Sequence, residues 1–215
     1  MNERPTADTG SLTPQLPAQH DPSEPYGVVM VCTGNICRSA MAHAVLVDRL
    51  TVAGLSAKCP GAVNVTSAGV SDEESGNPMD PRARRVLAEA GYGVGSDAAS
   101  RAVAAVIATH AAHRIADAEL RRADLILAMT AAHHRALTRR ATRLGTDPER
   151  IRMFREFDPD AQHAATTSAP SPNLDVPDPW YGTMADFVDT LDVVERVSDT
   201  LAPALAQMAG RAGGR

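Results

Sequence analysis

The feature that most constrains this chain is a short apolar run that leads through a tight turn into a helical pattern. Residues 28–32 read VVMVC, which is typical of a strand buried on both faces of a parallel sheet. After a turn that contains glycine and asparagine, residues 39–50 carry apolar side chains at helical spacing. The sequence therefore predicts a strand–turn–helix unit, the building block of α/β folds.

The same order of elements repeats along the chain. Further strands are predicted at residues 62–70 (AVNVTSAGV), 123–130 (ADLILAMT) and, more weakly, 151–157 (IRMFREF). Helices are predicted at residues 77–92, at 97–110 with an N-cap near Ser96, at 131–144, and from Thr183 onward. Pro203 is expected to kink this last helix, or to end it and start another.

This alternation predicts one α/β domain with a central four-stranded parallel sheet, helices on both faces and right-handed crossovers. The 215 residues suit a single core with an extension. Residues 1–25 are polar and proline-containing, so they are predicted to be a disordered tail, and residues 26–210 are assigned to the domain. The tight turn after the first strand lies at the carboxyl end of that strand, where sites in such sheets form.

Composition excludes several classes of partner. The net charge is −5 and the arginines are scattered, so neither a nucleic-acid surface nor a polybasic membrane anchor is indicated. No apolar run reaches the roughly 18 residues that span a bilayer, and the first 25 residues lack the apolar core of a signal peptide. Three cysteines are too few for a disulfide framework, which favours the cytoplasm.

The turn itself, VCTGNICRS at residues 31–39, carries the chemistry. Backbone amides of a tight loop that feeds a helix form a concavity for an anion, and Gly34 and Asn35 tolerate the left-handed backbone that such loops need. Cys32 offers a thiol whose thiolate is nucleophilic, Arg38 a fork that matches two phosphate oxygens, and Ser39 a hydrogen bond to the thiolate. Because the GK[ST] pattern of nucleotide loops is absent, a phosphate monoester is the expected ligand.

CTGNICRS resembles the phosphate loop C-x-G-N-x-C-R-S of the low-molecular-weight protein tyrosine phosphatases, and TSAGVSDEESGNPMDPRA and DVPDPWYG resemble later segments of that family. The resemblance runs from residue 28 to the C-terminal helix. It implies that Cys32 is the nucleophile of a phosphocysteine mechanism, that Arg38 holds the phosphate, and that Asp178 is the general acid and base. Asp175 is the rival for the last role, but it lacks the proline and aromatic pair that follow Asp178.

The resemblance assigns further roles. It implies that Trp180 and Tyr181 form a wall against the substrate ring, although a lone tryptophan also commonly packs in a core. Ser67 and His110 are expected to support Asn35. The remaining substrate-binding positions lie in the loop: Thr33, Gly34, Asn35, Ile36, Cys37 and Ser39. Cys37 is also expected to form a protective disulfide with Cys32, whereas Cys59 is a bystander.

The chain departs from the family pattern in three places. Ala40 and His43 replace a proline and a glutamate on the helix after the loop, where loss of function does not follow. Glu73, with Glu74 beside it, stands where many relatives carry an aromatic rim residue, which favours basic or neutral substrates. Residues 93–109 are expected to be a surface insertion.

Three other functions compete with phosphotyrosine hydrolysis. An arginine phosphatase typically carries threonine at the position of Ile36. A thioredoxin-coupled arsenate reductase needs two more cysteines, and none follows Cys59. A phosphotyrosine-binding pseudophosphatase would not need all three catalytic residues.

No metal or other cofactor is implied by the sequence. The pairs His110 with His113 and His133 with His134 lack accompanying ligands and are expected at the surface. The expected partners are phosphotyrosine proteins and a cognate bacterial-type tyrosine kinase, and the chain is expected to be a monomer or weak dimer.

Overall fold

A four-stranded parallel sheet forms the centre of the molecule. The computed structural model describes residues 15–55, 62–161 and 173–212, with side chains described through residue 209. Within these residues the strand order is β2-β1-β3-β4. The strands are β1 (Tyr26–Cys32), β2 (Val63–Gly69), β3 (Leu125–Ala128) and β4 (Ile151–Met153), and all neighbours pair in parallel.

Helices cover both faces of this sheet. In the described ranges they are α1 (Arg38–Val52), α2 (Pro81–Glu89), α3 (Ala98–Thr109), α4 (Asp117–Arg122), α5 (Ala131–Arg143) and α6 (Met184–Ala212). Apolar side chains of α1, α2, α3 and α6 pack with Val28 and Met30 on one face. Those of α4 and α5 pack with Val29 and Val31 on the other. The continuous apolar run of β1 is thus buried on both sides, and the predicted fold class is confirmed.

Sequence-local signals begin three of these helices. The Asp80 carboxylate accepts a hydrogen bond from the Arg82 amide, with Pro81 in the first turn of α2. Asp97, rather than the neighbouring Ser96, caps α3, and Thr130 caps α5. Each of these caps supplies an acceptor to an amide that has no partner within its helix.

Two predicted elements differ in the structure. The fourth strand is only three residues long, and a 3₁₀ turn (Phe154–Phe157) follows it because both phenylalanines turn into the core. Pro203 does not end the last helix, which continues to Ala212. Leu201 and Leu205 on either side of the proline are fully buried, and their packing offsets a cost of about 3 kcal/mol for proline inside a helix.

Residues 15–25, which the sequence assigned to a disordered tail, have contacts with the domain. The Tyr26 hydroxyl donates to the Pro17 carbonyl at 3.0 Å, and the Asp124 carboxylate accepts from the amides of His20 and Gly27 at 2.6 and 2.8 Å. Leu16 packs against the core. Residues 1–14 lie outside the described residues. The segment predicted as an insertion contains α3, and its origin as an insertion stays a prediction.

The carboxyl ends of β1 and β2 meet where the site is expected. Cys32 pairs with Gly69, and a Cβ on Gly69 would come within 2.4 Å of the Thr33 carbonyl oxygen. Only glycine therefore lets the chain after β1 pass this close to β2. In the described ranges, no helix is both long and apolar enough to cross a membrane.

Candidate functional site

The loop of residues 32–39 is called the cysteine loop below. It places the thiol of Cys32 beside the hydroxyl of Ser39. Cys32 ends β1 and is 3 % exposed, and its Sγ lies 3.0 Å from Ser39 Oγ in the first turn of α1. Ser39 Oγ already accepts a hydrogen bond from Asn35 Nδ2 at 3.0 Å. The Ser39 proton is therefore available to Cys32 Sγ, which favours the thiolate form.

Asn35 stabilises the cysteine loop through the hydrogen bonds of its buried side chain. It is fully buried in a left-handed conformation, with φ of 62°, which asparagine tolerates better than most residues. Its Nδ2 also donates to Ser67 Oγ at 2.9 Å, and its Oδ1 accepts from the His113 amide at 3.3 Å. His110 Nε2 lies 2.7 Å from the Asn35 carbonyl oxygen and donates to it. The structure thus brings Ser67 and His110 to Asn35.

Two histidines around this network are held neutral. Burial lowers the pKa of His110, and its Nε2 must carry the proton because its partner is a carbonyl oxygen. His43, on α1, has Nδ1 3.5 Å from Ser67 Oγ, and burial, followed by the nearby His110, lowers its pKa to about 4. His43 therefore joins the network, a contact that sequence reasoning missed because it is visible only once α1 and β2 are packed.

Arg38 connects the cysteine loop to the loop of residues 175–182, called the aspartate loop below. Its side chain is almost fully buried, and its terminal nitrogens donate to the Val176 carbonyl at 3.3 Å and to Asp178 Oδ2 at 2.7 Å. Arg38 Nε has no hydrogen-bond partner among the described residues. A buried donor without an acceptor is costly, so an anion bound in the loop would satisfy it.

The two candidate aspartates have different surroundings. Asp178 has a side chain that is 45 % exposed and faces Arg38, and its Oδ1 accepts from the Trp180 amide at 3.2 Å. Asp175 Oδ1 instead accepts from the Ala131 amide at 2.6 Å, at the start of α5. Asp175 therefore caps a helix, and Asp178 alone of the two contacts the arginine of the cysteine loop.

Arg82 attaches the aspartate loop to the first turn of α2. The Asp80 amide donates to the Ile36 carbonyl at 2.9 Å, and the Asp80 carboxylate pairs with Arg82 at 3.0 Å. Arg82 donates to the Trp180 carbonyl at 3.1 Å, and its guanidinium lies over the rings of Trp180 and Phe187, 5.5 and 4.6 Å from their centroids. Sequence reasoning missed Arg82, for which the Asp-Pro-Arg cap of α2 was the available signal.

The aromatic pair is divided between two environments. Trp180 is 37 % exposed with one face against Arg82, so it is neither a core residue nor fully open. Tyr181 is 94 % exposed. Both side chains are on the loop that carries Asp178, and the Trp180 amide donates to the Asp178 carboxylate.

Cys37 differs from Cys32 although both are buried and free. Burial, with the nearby Asp80 charge, raises the pKa of Cys37, so its thiol stays protonated at neutral pH. Cys37 lacks the serine hydrogen bond that Cys32 receives. The disulfide between Cys32 and Cys37 stays a prediction, and Cys59 lies outside the described residues.

The remaining loop positions line the mouth. Ile36 is buried, whereas Thr33 is exposed and its Oγ1 lies 2.9 Å from His133 Nε2. A Cβ on Gly34 would come within 2.8 Å of the Glu74 side chain, so that glutamate lies directly against the loop. Of the two glutamates expected at the rim, Glu74 is therefore adjacent to the cysteine loop, and Glu73 beside it is exposed.

The expectation that His133 is a surface residue is wrong. It is 6 % exposed because its place in the first turn of α5 turns the ring under the cysteine loop. Burial, and then the charge of Arg38, lowers the pKa of His133 to about 4. Within the described part of the chain, no group of three histidine, cysteine or carboxylate side chains could hold a metal ion.

Comparisons with known proteins place the chain in a family. The family model for low molecular weight phosphotyrosine protein phosphatase matches residues 27–210. A low molecular weight protein-tyrosine-phosphatase of Streptomyces coelicolor is 38% identical over 188 residues, which are 87% of this chain and 98% of that protein.

Two solved structures are similar as well. A solution structure of a low molecular weight protein tyrosine phosphatase from Bacillus subtilis is 28% identical with a TM-score of 0.60, covering 84% of this chain and 97% of the other. The arginine phosphatase YwlE from Geobacillus stearothermophilus is 27% identical with a TM-score of 0.60, covering 85% and 94%. Because the family model spans residues 27–210 and the Streptomyces protein is 38% identical over most of the chain, the chain belongs to the low molecular weight phosphotyrosine protein phosphatase family.

Proposed function

We propose that this protein hydrolyses phosphotyrosine in proteins through a phosphocysteine intermediate. The observation that carries the proposal is the convergence of Cys32, Arg38 and Asp178: the thiol lies at the base of the cysteine loop, and Arg38 joins that loop to Asp178 at 2.7 Å. The family membership supports the same reaction class.

In the first step the phosphate occupies the cysteine loop, held by its backbone amides and by the guanidinium of Arg38, whose Nε has no other partner among the described residues. Because the phosphate takes over the guanidinium, the Asp178 carboxylate leaves its ion pair with Arg38, takes up a proton from solvent and turns toward the leaving group. The Cys32 thiolate attacks phosphorus, and the bond from phosphorus to the phenolic oxygen breaks. Protonated Asp178 gives its proton to that oxygen, so tyrosine leaves neutral.

In the second step a water molecule attacks the phosphocysteine. The Asp178 carboxylate, now unprotonated, accepts the proton of that water, and the bond from phosphorus to sulfur breaks. The hydrogen bond from Ser39 stabilises the departing thiolate at 3.0 Å. Inorganic phosphate leaves, and both Cys32 and Asp178 return to their starting protonation states.

The aromatic rim supports an aryl phosphate as substrate. Trp180 and Tyr181 are the exposed aromatic side chains on the aspartate loop, and a phosphotyrosine ring that enters the cleft would contact them. We place the reaction in the cytoplasm, since cysteine usage favours a reducing compartment. A tyrosine kinase that makes the substrate is the expected counterpart.

Phosphoarginine is the second candidate substrate. The structural similarity to an arginine phosphatase at 27% identity and a TM-score of 0.60 favours it, because the two proteins share the fold. Ile36, where arginine phosphatases typically carry threonine, favours phosphotyrosine.

The experiment is phosphate release from a phosphotyrosine peptide, para-nitrophenyl phosphate and phosphoarginine. Cys32→Ser is expected to abolish turnover, and Asp178→Asn to lower kcat by about 10² or more, because a positioned general acid contributes about 10²–10⁴-fold. Asp175→Asn is the matched control: its Oδ1 can still cap α5, so kcat should stay near wild type. An inert wild type, or an active Cys32→Ser, contradicts the mechanism.

A further inference from the structure

His133 lies under the cysteine loop and contacts its exposed hydroxyl. The ring sits in the first turn of α5, nine-tenths buried, with Nε2 2.9 Å from Thr33 Oγ1. Its other nitrogen, Nδ1, is buried and has no hydrogen-bond partner among the described residues. The phosphatase mechanism above does not use this histidine, and among the described residues its side-chain hydrogen bond to the site is the one with Thr33.

Thr33 Oγ1 is also an acceptor for Arg38. The same terminal nitrogen of Arg38 that binds Asp178 lies 3.4 Å from Thr33 Oγ1. Arg38 has only hydrogen-bond donors, so Thr33 Oγ1 must accept in that contact. The hydroxyl therefore stands between a cation that donates to it and an imidazole whose role depends on the tautomer.

The two neutral tautomers of His133 have different consequences. With the proton on Nδ1, a buried N–H would have no acceptor. The Thr33 hydroxyl would then have to donate its own proton in the hydrogen bond to Nε2. With the proton on Nε2, the imidazole donates to Thr33 Oγ1 and the unpartnered atom is an acceptor, which proteins bury more readily than a donor. The burial and the neighbouring Arg38 that lower the pKa of His133 disfavour the doubly protonated ring.

We propose that His133 is a positioning residue that donates from Nε2 to Thr33 Oγ1 and so leaves the Thr33 hydroxyl proton free to bind the substrate phosphate. His133 and Arg38 fill the two acceptor sites of the hydroxyl, which leaves its proton for an oxygen of a phosphate bound in the loop. Ser39 stands in the same relation to Asn35 and Cys32 at the other end of the loop. This inference rests on the proposed function, since it adds a phosphate donor to that site.

The test measures phosphate affinity separately from turnover. Binding of inorganic phosphate by calorimetry, and KM and kcat for para-nitrophenyl phosphate, are compared in wild type, Thr33→Val, Thr33→Ser, His133→Ala and His133→Gln. Thr33→Val is expected to raise the phosphate Kd and KM about three- to tenfold, the worth of one hydrogen bond, with kcat changed less than about twofold. Thr33→Ser keeps the hydroxyl and should bind phosphate like wild type.

His133→Ala should reproduce the defect of Thr33→Val, and His133→Gln should largely restore affinity, because the glutamine amide can donate from the place of Nε2. Thr33→Val combined with His133→Ala should be no weaker than Thr33→Val alone. The control on the same helix is His134→Gln, since His134 contacts the Ile151 carbonyl and not the loop. The proposal is overturned if Thr33→Val binds phosphate as tightly as wild type. It is also overturned if the rise in phosphate Kd in the double variant is the product of the rises in the two single variants.

Two further outcomes are informative. If His133→Ala does not fold, Thr33→Val and His133→Gln still decide, because a Gln variant as weak as Thr33→Val contradicts donation from Nε2. If wild type binds phosphate and the variants behave as expected but phosphotyrosine is not hydrolysed, the proposed function fails while the positioning role stands.

Discussion

The two sides of the site are held in different ways. The cysteine loop is buried and tied by side-chain hydrogen bonds of Asn35 to both α1 and β2. The aspartate loop is fixed at its start, by the Asp175 carboxylate on α5 and the Val176 amide on the Met129 carbonyl, and further along by Arg82, whereas the side chains of Asp178, Trp180 and Tyr181 are partly or fully exposed. A nucleophile and anion cradle gain from preorganisation, whereas a proton donor that must pass from Arg38 to a leaving group needs freedom to shift.

The largest effect is expected from breaking the rigid side at Asn35. Asn35→Ala removes three side-chain hydrogen bonds and places alanine at φ of 62°, so the free energy of unfolding should fall by about 3–4 kcal/mol. Because Ser39 also loses its donor, kcat/KM should fall by about 10² or more. Urea unfolding and steady-state kinetics measure the two quantities.

Asn77→Ala is the control for this substitution. Its side chain makes one exposed hydrogen bond to Glu74 and lies outside the network, so stability and activity should change little. A loss for Asn35→Ala no larger than that for Asn77→Ala would contradict the contrast between the two sides.

Acid provides a second way to loosen the cysteine-loop side. The pKa of His133 is lowered to about 4 from 6.5, so the unfolded chain binds more protons than the folded one between these values. Stability present above pH 6.5 is therefore lost as the pH falls toward 4, by at most about 3 kcal/mol for this residue. His43 and His110, also with lowered pKa values, act in the same direction.

Urea unfolding at several pH values measures how the free energy of unfolding changes between pH 6.5 and 4. His133→Gln should reduce the loss between pH 6.5 and 4, since glutamine does not titrate, while His134→Gln serves as the matched substitution next to it. An unchanged slope in His133→Gln would mean that this ring is not held neutral by the fold.

Arg82→Lys tests how the aspartate loop is attached. Lysine keeps the charge near Asp80 but loses the planar stack on Trp180 and Phe187, so the loop should be less well placed. We expect kcat for para-nitrophenyl phosphate to fall about tenfold, with unfolding free energy reduced by about 1 kcal/mol. Arg85→Lys, exposed on the same helix, is the control, and equal kinetics for the two variants would contradict a role for Arg82.

Sequence could predict the fold and the centre of the site because both depend on local patterns. The apolar run of β1, the glycine turn and the start of α1 are contiguous, so Cys32, Arg38 and their loop are recognisable within a few residues. Asp178 was separable from Asp175 only by its flanking residues. The structure adds the physical reason, since the Asp175 carboxylate is engaged at a helix N-terminus.

What the sequence could not predict depends on contacts between distant segments. His133 resembled a surface histidine because nothing local records that the first turn of α5 lies under the cysteine loop. Arg82 reads as an ordinary helix residue until Trp180, about a hundred positions away, packs against it. From sequence, Pro203 predicts a kink or an end of the helix, because the burial of Leu201 and Leu205 on both sides of it is a tertiary property.

The smallest effect is expected at Glu73 and Glu74, of which Glu74 lies directly against Gly34 of the cysteine loop and Glu73 is its exposed neighbour. Glu73 is exposed, so its attraction for a basic peptide is screened by salt and should change kcat/KM only about two- to threefold. Glu73→Gln should lower the ratio of turnover for basic over acidic phosphopeptides by that factor at low salt and not at high salt. Glu89→Gln, exposed on α2 away from the mouth, is the matched control. If the ratio of turnover for basic over acidic phosphopeptides is the same in Glu73→Gln and wild type at low salt, Glu73 does not contribute to substrate selection. Selection would then depend on the aromatic pair, Trp180 and Tyr181.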